Sequence, residues 1–332
     1  MKSVRFERLG DPQEVLSLQD VEEPTPGPGE VLLRLRARTI SISDLYFIRG
    51  HYGLTPKPPC TPGFEALGTV EALGPGVSNL AIGDRVVVLH PAQVGTPGTW
   101  QESCVTKASE VYRVSDGLSD TAAAQMICNP ASAWVIATRE LALQPGQFLL
   151  ITAGASNFSH VLMKIAHLRG AKCIHLVRNR ARVAEVEGYG ADHVICTAEE
   201  DFVVKVMSIT NGQGVDAVVD TISGKVAADA LRTLKPRGTM LVFGLLSGLN
   251  ANLDFGQILF KTLHVRGFWL ASWLKNTPHA EREKALAELD EALQANPDVL
   301  PAIEAEYELA DFKEAIRHAD RFGRQGKVVL FG

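Results

Sequence analysis

The stretch Phe148–Arg182, FLLITAGASNFSHVLMKIAHLRGAKCIHLVRNRAR, admits few folds. After the turn pair Pro145-Gly146 comes an apolar run, Phe148-Leu149-Leu150-Ile151, and then a turn of small residues, Ala153-Gly154-Ala155-Ser156-Asn157. Apolar residues next recur at Val161, Leu162, Ile165, Ala166 and Leu168, the spacing of one helical face. Gly170 stops that helix, and Cys173 to Val177 is a second short apolar run. Strand, tight turn, helix and strand make one βαβ unit with a right-handed crossover. Such a turn aims backbone N–H groups and the positive helix end at one place, a setting that suits a pyrophosphate.

The glycine fingerprint G-x-G-x-x-G would need glycines at 154, 156 and 159; the chain has Gly154, Ser156 and Ser159. Serine is the next-smallest polar choice, and its hydroxyl can donate to a phosphate oxygen. On the turn alone, a dinucleotide site and an ordinary βα turn fit equally. The end of the second strand adds the discriminating information. A site for NAD places an acid there, about 20 residues on, to hold the ribose 2′-OH. Here Arg178-Asn179-Arg180 and then Arg182 take that place. Guanidinium forks suit a 2′-phosphate, so the segment reads as NADP(H) rather than NAD(H). The plain alternative is a solvated basic helix start. Cations are disfavoured at a helix N-terminus, so several of them together ask for an anion.

The chain has 332 residues, enough for two domains and two cores. Its net charge of −5, with no basic block outside the arginine cluster, argues against nucleic acid as a partner. No apolar run reaches the ~18 residues of a membrane span. The start MKSVRFERLG goes into charged alternation and reads as neither a secretory nor a transit signal. Cys60, Cys104, Cys128, Cys173 and Cys196 are scattered without C-x-x-C. They read as buried thiols in a reducing, cytoplasmic setting rather than disulfides or a zinc lobe.

The first third is strand-rich and punctuated by glycine and proline. Val31 to Thr39 alternates, with Val31, Leu33, Leu35 and Ala37 on one face and Leu32, Arg34, Arg36 and Arg38 on the other. Gly63 to Gly74 reads as a strand pair with glycines at the bends, and Gly83-Asp84-Arg85 as a turn into Val86–Leu89. Closely spaced strands of this kind predict a compact β-barrel domain. Asp120 or Thr121 is expected to cap a helix over 122–128, and a second helix is expected over 130–141. Apolar runs at 217–220, 239–243 and 263–267, with helical stretches separating the earlier ones, continue the βαβ pattern into a doubly wound parallel sheet. A long helix over 278–294 comes next. Strands over 304–309 and 327–331 are expected to return to the first domain. The fold class is thus α/β: residues 121–297 form the dinucleotide-binding sheet, and residues 1–120 with 298–332 form the barrel domain.

This layout resembles the medium-chain dehydrogenase/reductase superfamily over essentially its full length, with a GroES-like catalytic domain and a Rossmann domain. The zinc alcohol dehydrogenases of that superfamily carry a metal-ligating Cys in C-x-x-D and a metal-ligating His in G-H-E. The matching stretches are Ser41-Ile42-Ser43-Asp44 and Gly63-Phe64-Glu65, whose serine and phenylalanine cannot hold zinc, and the four-cysteine zinc loop is missing. The resemblance is therefore to the zinc-free branch of quinone oxidoreductases and 2-enoyl thioester reductases, with no metal expected. Four segments are similar to the thioester reductases. They are Gly50–Pro56, similar to the segment that carries that subfamily's proton-donating tyrosine; Asn129-Pro130-Ala131-Ser132-Ala133; Val177-Arg178-Asn179-Arg180; and Leu259-Phe260-Lys261 with Arg266-Gly267-Phe268-Trp269-Leu270 after it. Ser159 beside Phe158, and Phe64-Glu65-Ala66 in place of N-E-G, depart from the subfamily pattern.

The resemblance makes Tyr52 the proton donor, where an isolated loop tyrosine would otherwise be read as packing. The cofactor contacts it implies, with the turn and cluster read above, are Asn129, Ser132, Gly154, Ser156, Asn157, Phe158, Arg178, Asn179, Arg180, Lys327 and the pocket-wall residues Phe268, Trp269 and Leu270. Gly244-Leu245-Leu246-Ser247 comes after a parallel strand at its carboxyl end, where ligands bind in such sheets. Trp100 and Trp134 read as core, and His51, His90 and His160 as residues without a catalytic role. Glu65 reads equally as a cleft residue and as a partner for buried backbone. The expected activity is NADPH-dependent reduction of an enoyl thioester carried by coenzyme A or acyl carrier protein. The alternatives are a quinone oxidoreductase and an NADPH-binding protein with little turnover. A homodimer paired through Leu263–Gly267 is the expected assembly.

Overall fold

The computed structural model describes residues 1–89, 98–321 and 323–332; His90 lies outside them. The chain divides into two compact units, Met1–Ala131 with Thr277–Gly332, and Ser132–Asn276. The first unit opens with strands β1 (Lys2–Phe6), β2 (Leu16–Asp20), β3 (Glu30–Ile40), β4 (Ala66–Leu73), β5 (Arg85–Val88), β6 (Ser103–Lys107) and β7 (Val111–Arg113). The second unit holds β8 (Phe148–Ile151), β9 (Lys172–Val177), β10 (His193–Cys196), β11 (Val215–Asp220), β12 (Leu234–Val242) and β13 (His264–Gly267). The chain then re-enters the first unit with β14 (Ile303–Glu308) and β15 (Lys327–Phe331).

In the first unit the sheet order is β14-β15-β3-β4-β5-β7, and β6 also pairs β3. The alternation in β3 places Val31, Leu33, Leu35 and Ala37 inside, with Val70, Val86 and Val88 among the residues they meet. Arg38 departs from the alternation: it is fully buried. The pairing of β3 with β4 shifts register between Leu35 and Ala37, which re-aims the remaining residues of the strand. The Arg38 guanidinium donates to the carbonyls of Leu35, Thr99, Gln101, Leu330 and Gly332, and burial lowers its pKa to about 10. Gly63 to Gly74 holds one strand rather than two. Gly68 lies inside β4, where a Cβ would come within 3.2 Å of the Arg34 carbonyl and the Leu33 and Leu35 side chains. Ser119, not Asp120 or Thr121, caps the helix Asp120–Ala124 by accepting from Ala122 N–H; Asp120 instead meets Arg36 and Arg85. The helix His279–Ala295 belongs with this unit, because its buried Asp290 accepts from Ser115 N–H and Oγ–H.

The expected helix over 130–141 is not regular. Pro130 has no N–H to donate, and Ile127–Ala131 is a π turn in which Ala131 N–H reaches Met126 O at 3.0 Å. After the short helix Ser132–Val135 comes a second π turn, Ile136–Glu140, closed by Leu141 N–H on Ile136 O at 2.8 Å. Single π turns of this kind are frequent at functional sites.

The second unit is a six-stranded parallel sheet in the order β10-β9-β8-β11-β12-β13, the Rossmann arrangement 3-2-1-4-5-6. The order reverses between β8 and β11, and ligands of such sheets bind outside the carboxyl ends at that point. Those two ends are tied together here. Thr152 Oγ1 donates to Asp220 Oδ1 at 2.8 Å and accepts from Thr221 N–H at 2.8 Å.

Candidate active site

In the first unit, the end of β3, the helix Ile42–Arg49, the approach to β4 and the start of β15 bring one buried ionic cluster together. Asp44, three residues into the capping pattern Ser41-Ile42-Ser43-Asp44, accepts from Ser41 N–H and Phe64 N–H at 2.7 and 2.8 Å. Burial nevertheless pushes its carboxyl up to about 7. Glu65 accepts at Oε1 from the Thr39 and Ser41 hydroxyls, and the Lys327 ammonium lies 3.4 Å away. Lys327 also donates to Ser41 Oγ at 2.8 Å. Glu65 Oε2 accepts from Cys128 N–H at 2.7 Å. The carboxylate therefore fastens the π turn that carries Asn129. Burial, and next Glu65, hold the Cys128 thiol far above its ordinary range, so it is no nucleophile.

Tyr52 stands in the loop after this helix, half-buried against Phe64, which is edge-on to Phe47, which in turn is edge-on to Phe6. A loop tyrosine is thus braced by a row of aromatic rings rooted in the core. Trp100 is fully buried in that core, and His51 is exposed.

In the second unit the nucleotide turn is compact. Ala153 takes a left-handed backbone, φ 49°, and Gly154 N–H bonds Leu176 O at 2.7 Å. A Cβ at Gly154 would stand 2.8 Å from His175 Cβ, so only glycine lets the turn lie this close to β9. Ser156 caps the twelve-residue helix Asn157–Leu168 by accepting from Ser159 N–H. Ser159 Oγ donates to Ala153 O at 3.0 Å and lies 2.8 Å from Ser156 Oγ. The hydroxyl at the third fingerprint position is therefore folded back onto the turn and leaves the helix N-terminus in place. A helix end of this length, with glycine at the close approach, fits a dinucleotide pyrophosphate.

The three arginines differ. Arg178 is exposed, and no salt bridge is seen to it among the described residues. Arg180 is exposed, 3.6 Å from Glu199. Arg182 is sheltered and tied to Glu185. Asn179 is committed to a local cap, its Oδ1 accepting from Ala181 N–H. Past β12, Ser247 Oγ–H and N–H both bond Ile222 O, and Leu246 N–H bonds Thr221 O. The Gly244–Ser247 segment is thereby fixed over the end of β11, with Leu245 and Leu246 exposed. Phe158 is buried by stacking on Phe243, 4.0 Å between centroids, with Phe268 beyond it at 6.3 Å. Phe158 and Phe268 are buried, while Trp269 is exposed and Leu270 begins a helix. Ser132 is buried at the first position of its short helix.

Among the described residues, one group has the donors for a metal: His167, Cys173 and Asp192. Each is already committed. His167 Nε2 is 2.8 Å from Asp192 Oδ2, the same oxygen accepts from Cys173 N–H, and burial raises the Cys173 thiol pKa. Asp44, Thr39 and the full extent of Glu65's bonding were missed in the sequence. The Ser41-to-Asp44 capping spacing was the available signal for the first of them.

Residues 27–116 match the family described as alcohol dehydrogenase GroES-like domain, and residues 159–291 match the zinc-binding dehydrogenase family. The mitochondrial enoyl-[acyl-carrier-protein] reductase of Rattus norvegicus is 30% identical over 321 residues, 95% of this chain and 84% of that protein. A 2-haloacrylate reductase of Burkholderia is 30% identical over 235 residues, 70% of this chain and 69% of that one. Among solved structures, a putative NADPH:quinone reductase from Bacillus thuringiensis superposes with TM-score 0.90 at 32% identity, covering 100% of this chain and 98% of the other. Escherichia coli quinone oxidoreductase in complex with NADPH gives 0.89 at 26% identity, with both chains fully covered.

Proposed function

We propose, from the premise that this chain belongs to the zinc-free branch of the medium-chain dehydrogenase/reductase family, that it reduces the double bond of a trans-2-enoyl thioester. The protein is an oxidoreductase using NADPH to reduce an activated carbon–carbon double bond or a quinone. Bound NADPH supplies the hydride delivered to the β-carbon. Tyr52 donates its phenolic proton to the α-carbon, completing the saturated thioester. The helix start at Ser156–Phe158 takes the pyrophosphate, and Arg178, with Arg180 beside it, takes the 2′-phosphate. Asn129 and Ser132 are assigned to the nicotinamide side.

The observation that carries the thioester reading is the bracing of Tyr52 by Phe64. A general acid acts only from a held position, and quinone reduction asks less of one. The quinone reading keeps its own support in solved structures similar to this chain. The test is NADPH oxidation with crotonyl- to dodecenoyl-thioesters of coenzyme A and of acyl carrier protein, beside quinones and simple enones. A preference for quinones over every thioester sinks the proposal.

Two further assignments go with this reading. The protein works without zinc: Ser41 Oγ is held between the Lys327 ammonium and Glu65, and Phe64 offers no donor. Stoichiometric zinc in active protein would overturn it. The protein also pairs with a second copy through β13. That strand is exposed along its whole length at the sheet edge, and on the helix before it in the chain Phe255 and Phe260 are 80% and 86% exposed. Light scattering at micromolar concentration, showing one chain or two, decides this. No helix among the described residues is long and apolar enough to cross a membrane.

A further inference from the structure

We propose that Arg182 is a positioning residue that clamps the nucleotide turn from behind and is not a phosphate ligand. The proposal rests on the NADPH reading and adds to it a residue that acts on the dinucleotide irrespective of the 2′-phosphate.

Arg182 Nη2 donates to Ala155 O at 3.1 Å, and Ala155 lies in the turn between Gly154 and the capping Ser156. The same guanidinium faces Glu185 through both edges of its fork, Nε to Oε2 at 2.6 Å and Nη2 to Oε1 at 2.7 Å. The two side chains are 18% and 15% exposed, so the pair is sheltered from the screening that weakens surface ion pairs. Glu185 also accepts from Tyr189 O–H at 3.2 Å, and the Tyr189 ring meets His160 edge-on at 4.7 Å. His160 is in the first turn of the helix whose N-terminus the nucleotide turn supports. A bracket thus runs from the turn, through Arg182, Glu185 and Tyr189, back to that helix.

Because the peptide unit is planar, holding the Ala155 carbonyl fixes the plane of the Ala155–Ser156 amide and with it the entry into the cap. This effect is blind to the 2′ substituent. Arg178, by contrast, is exposed, as a 2′-phosphate ligand requires.

The test is fluorescence titration of NADPH and of NADH on the intact protein, with thermal melts of each variant. Arg182→Met is expected to weaken both cofactors by the same factor, roughly tenfold, the effect of one charged hydrogen bond. Arg182→Lys, which keeps a single donor toward Ala155, recovers part of the loss for both cofactors alike. Arg178→Ala weakens NADPH alone. Should Arg182→Met fail to fold, Glu185→Gln loosens the same clamp and lowers both affinities by a smaller equal factor. Weakening of NADPH alone in the Arg182 or Glu185 variants overturns the proposal, as does an unchanged affinity for both. A wild-type protein that binds neither cofactor overturns the NADPH reading itself.

Discussion

The phenol ring of Tyr52 lies 5.1 Å from the ring of Phe64, tilted by 43°. Phe64 stands in Gly63-Phe64-Glu65, the stretch that resembles the G-H-E of the zinc enzymes, and in this chain that position braces the tyrosine proposed as proton donor. Phe64 is itself held edge-on by Phe47 at 5.3 Å. Each such pair adds roughly 0.5–1.5 kcal/mol beyond simple burial, enough to keep a loop side chain in one place.

Tyr52→Phe keeps the ring and this contact and removes only the hydroxyl. With enoyl thioesters kcat is expected to fall by roughly 10²–10⁴-fold, with KM and NADPH affinity little changed. With quinones the loss is small. Tyr46→Phe, on the neighbouring helix, is the control and tolerates the change. An unchanged rate with the best thioester would leave Tyr52 only a wall of the pocket.

The arginine cluster gives a graded prediction. Arg178→Ala is expected to weaken NADPH binding by roughly one to two orders of magnitude, the effect of losing a charge-assisted contact. Arg180→Ala has a smaller effect, because Arg180 already faces Glu199 at 3.6 Å. NADH affinity stays near wild type in both. Equal loss of the two cofactors in the double variant refutes the 2′-phosphate assignment.

Ala153 occupies a left-handed conformation that glycine adopts without strain. Ala153→Gly is therefore expected to raise stability by about 0.5–1 kcal/mol, the strain relieved less the entropy added to the unfolded chain. Urea unfolding measures it, and a loss of stability would mean that the Ala153 methyl contributes more by packing than its backbone costs.

The raised pKa of Asp44 fixes a pH dependence. Below about pH 4 folded and unfolded chains both carry the proton; between about 4 and 7 only the folded chain does. Stability from this group therefore falls as pH rises through that window. Asp44→Asn removes that part of the slope. It also leaves one of the Ser41 and Phe64 N–H groups without its acceptor, so the variant is less stable than wild type at pH 4 and the gap narrows by pH 8. Unfolding midpoints at several pH values that run parallel for the two proteins contradict this.

The sheet of the second unit was legible because parallel buried strands write themselves as short apolar runs, and the runs at 148–151, 217–220 and 263–267 fall on β8, β11 and β13. The run of arginines after β9 was legible because a missing acid is a local fact. Arg38 was not legible: alternation assigns a face, while a register shift between Leu35 and Ala37 decides where that face ends. Nor was the irregular helix over 130–141, since 3.6-residue periodicity carries no mark for a π turn. The Glu65 cluster draws on residues 39, 41, 44, 65, 128 and 327, and sequence spacing says nothing about groups so far apart in the chain. Its one local trace was the capping pattern at Ser41.

Arg38 donates to carbonyls that include those of Leu330 and Gly332, and β15, the last strand in the chain, pairs with β3, the strand Arg38 stands in. All six strands of the second unit come between. A chain growing from a ribosome therefore has the whole of residues 132–276 in hand before the last strands of its first unit have been made. The unit that begins first in sequence is completed last in time. Until β14 and β15 arrive, Arg38 lacks two of its five carbonyls and Glu65 lacks its ammonium. The second unit is the older of the two in the history of each molecule: all six of its strands have been made while the half that carries Tyr52 still lacks its last two.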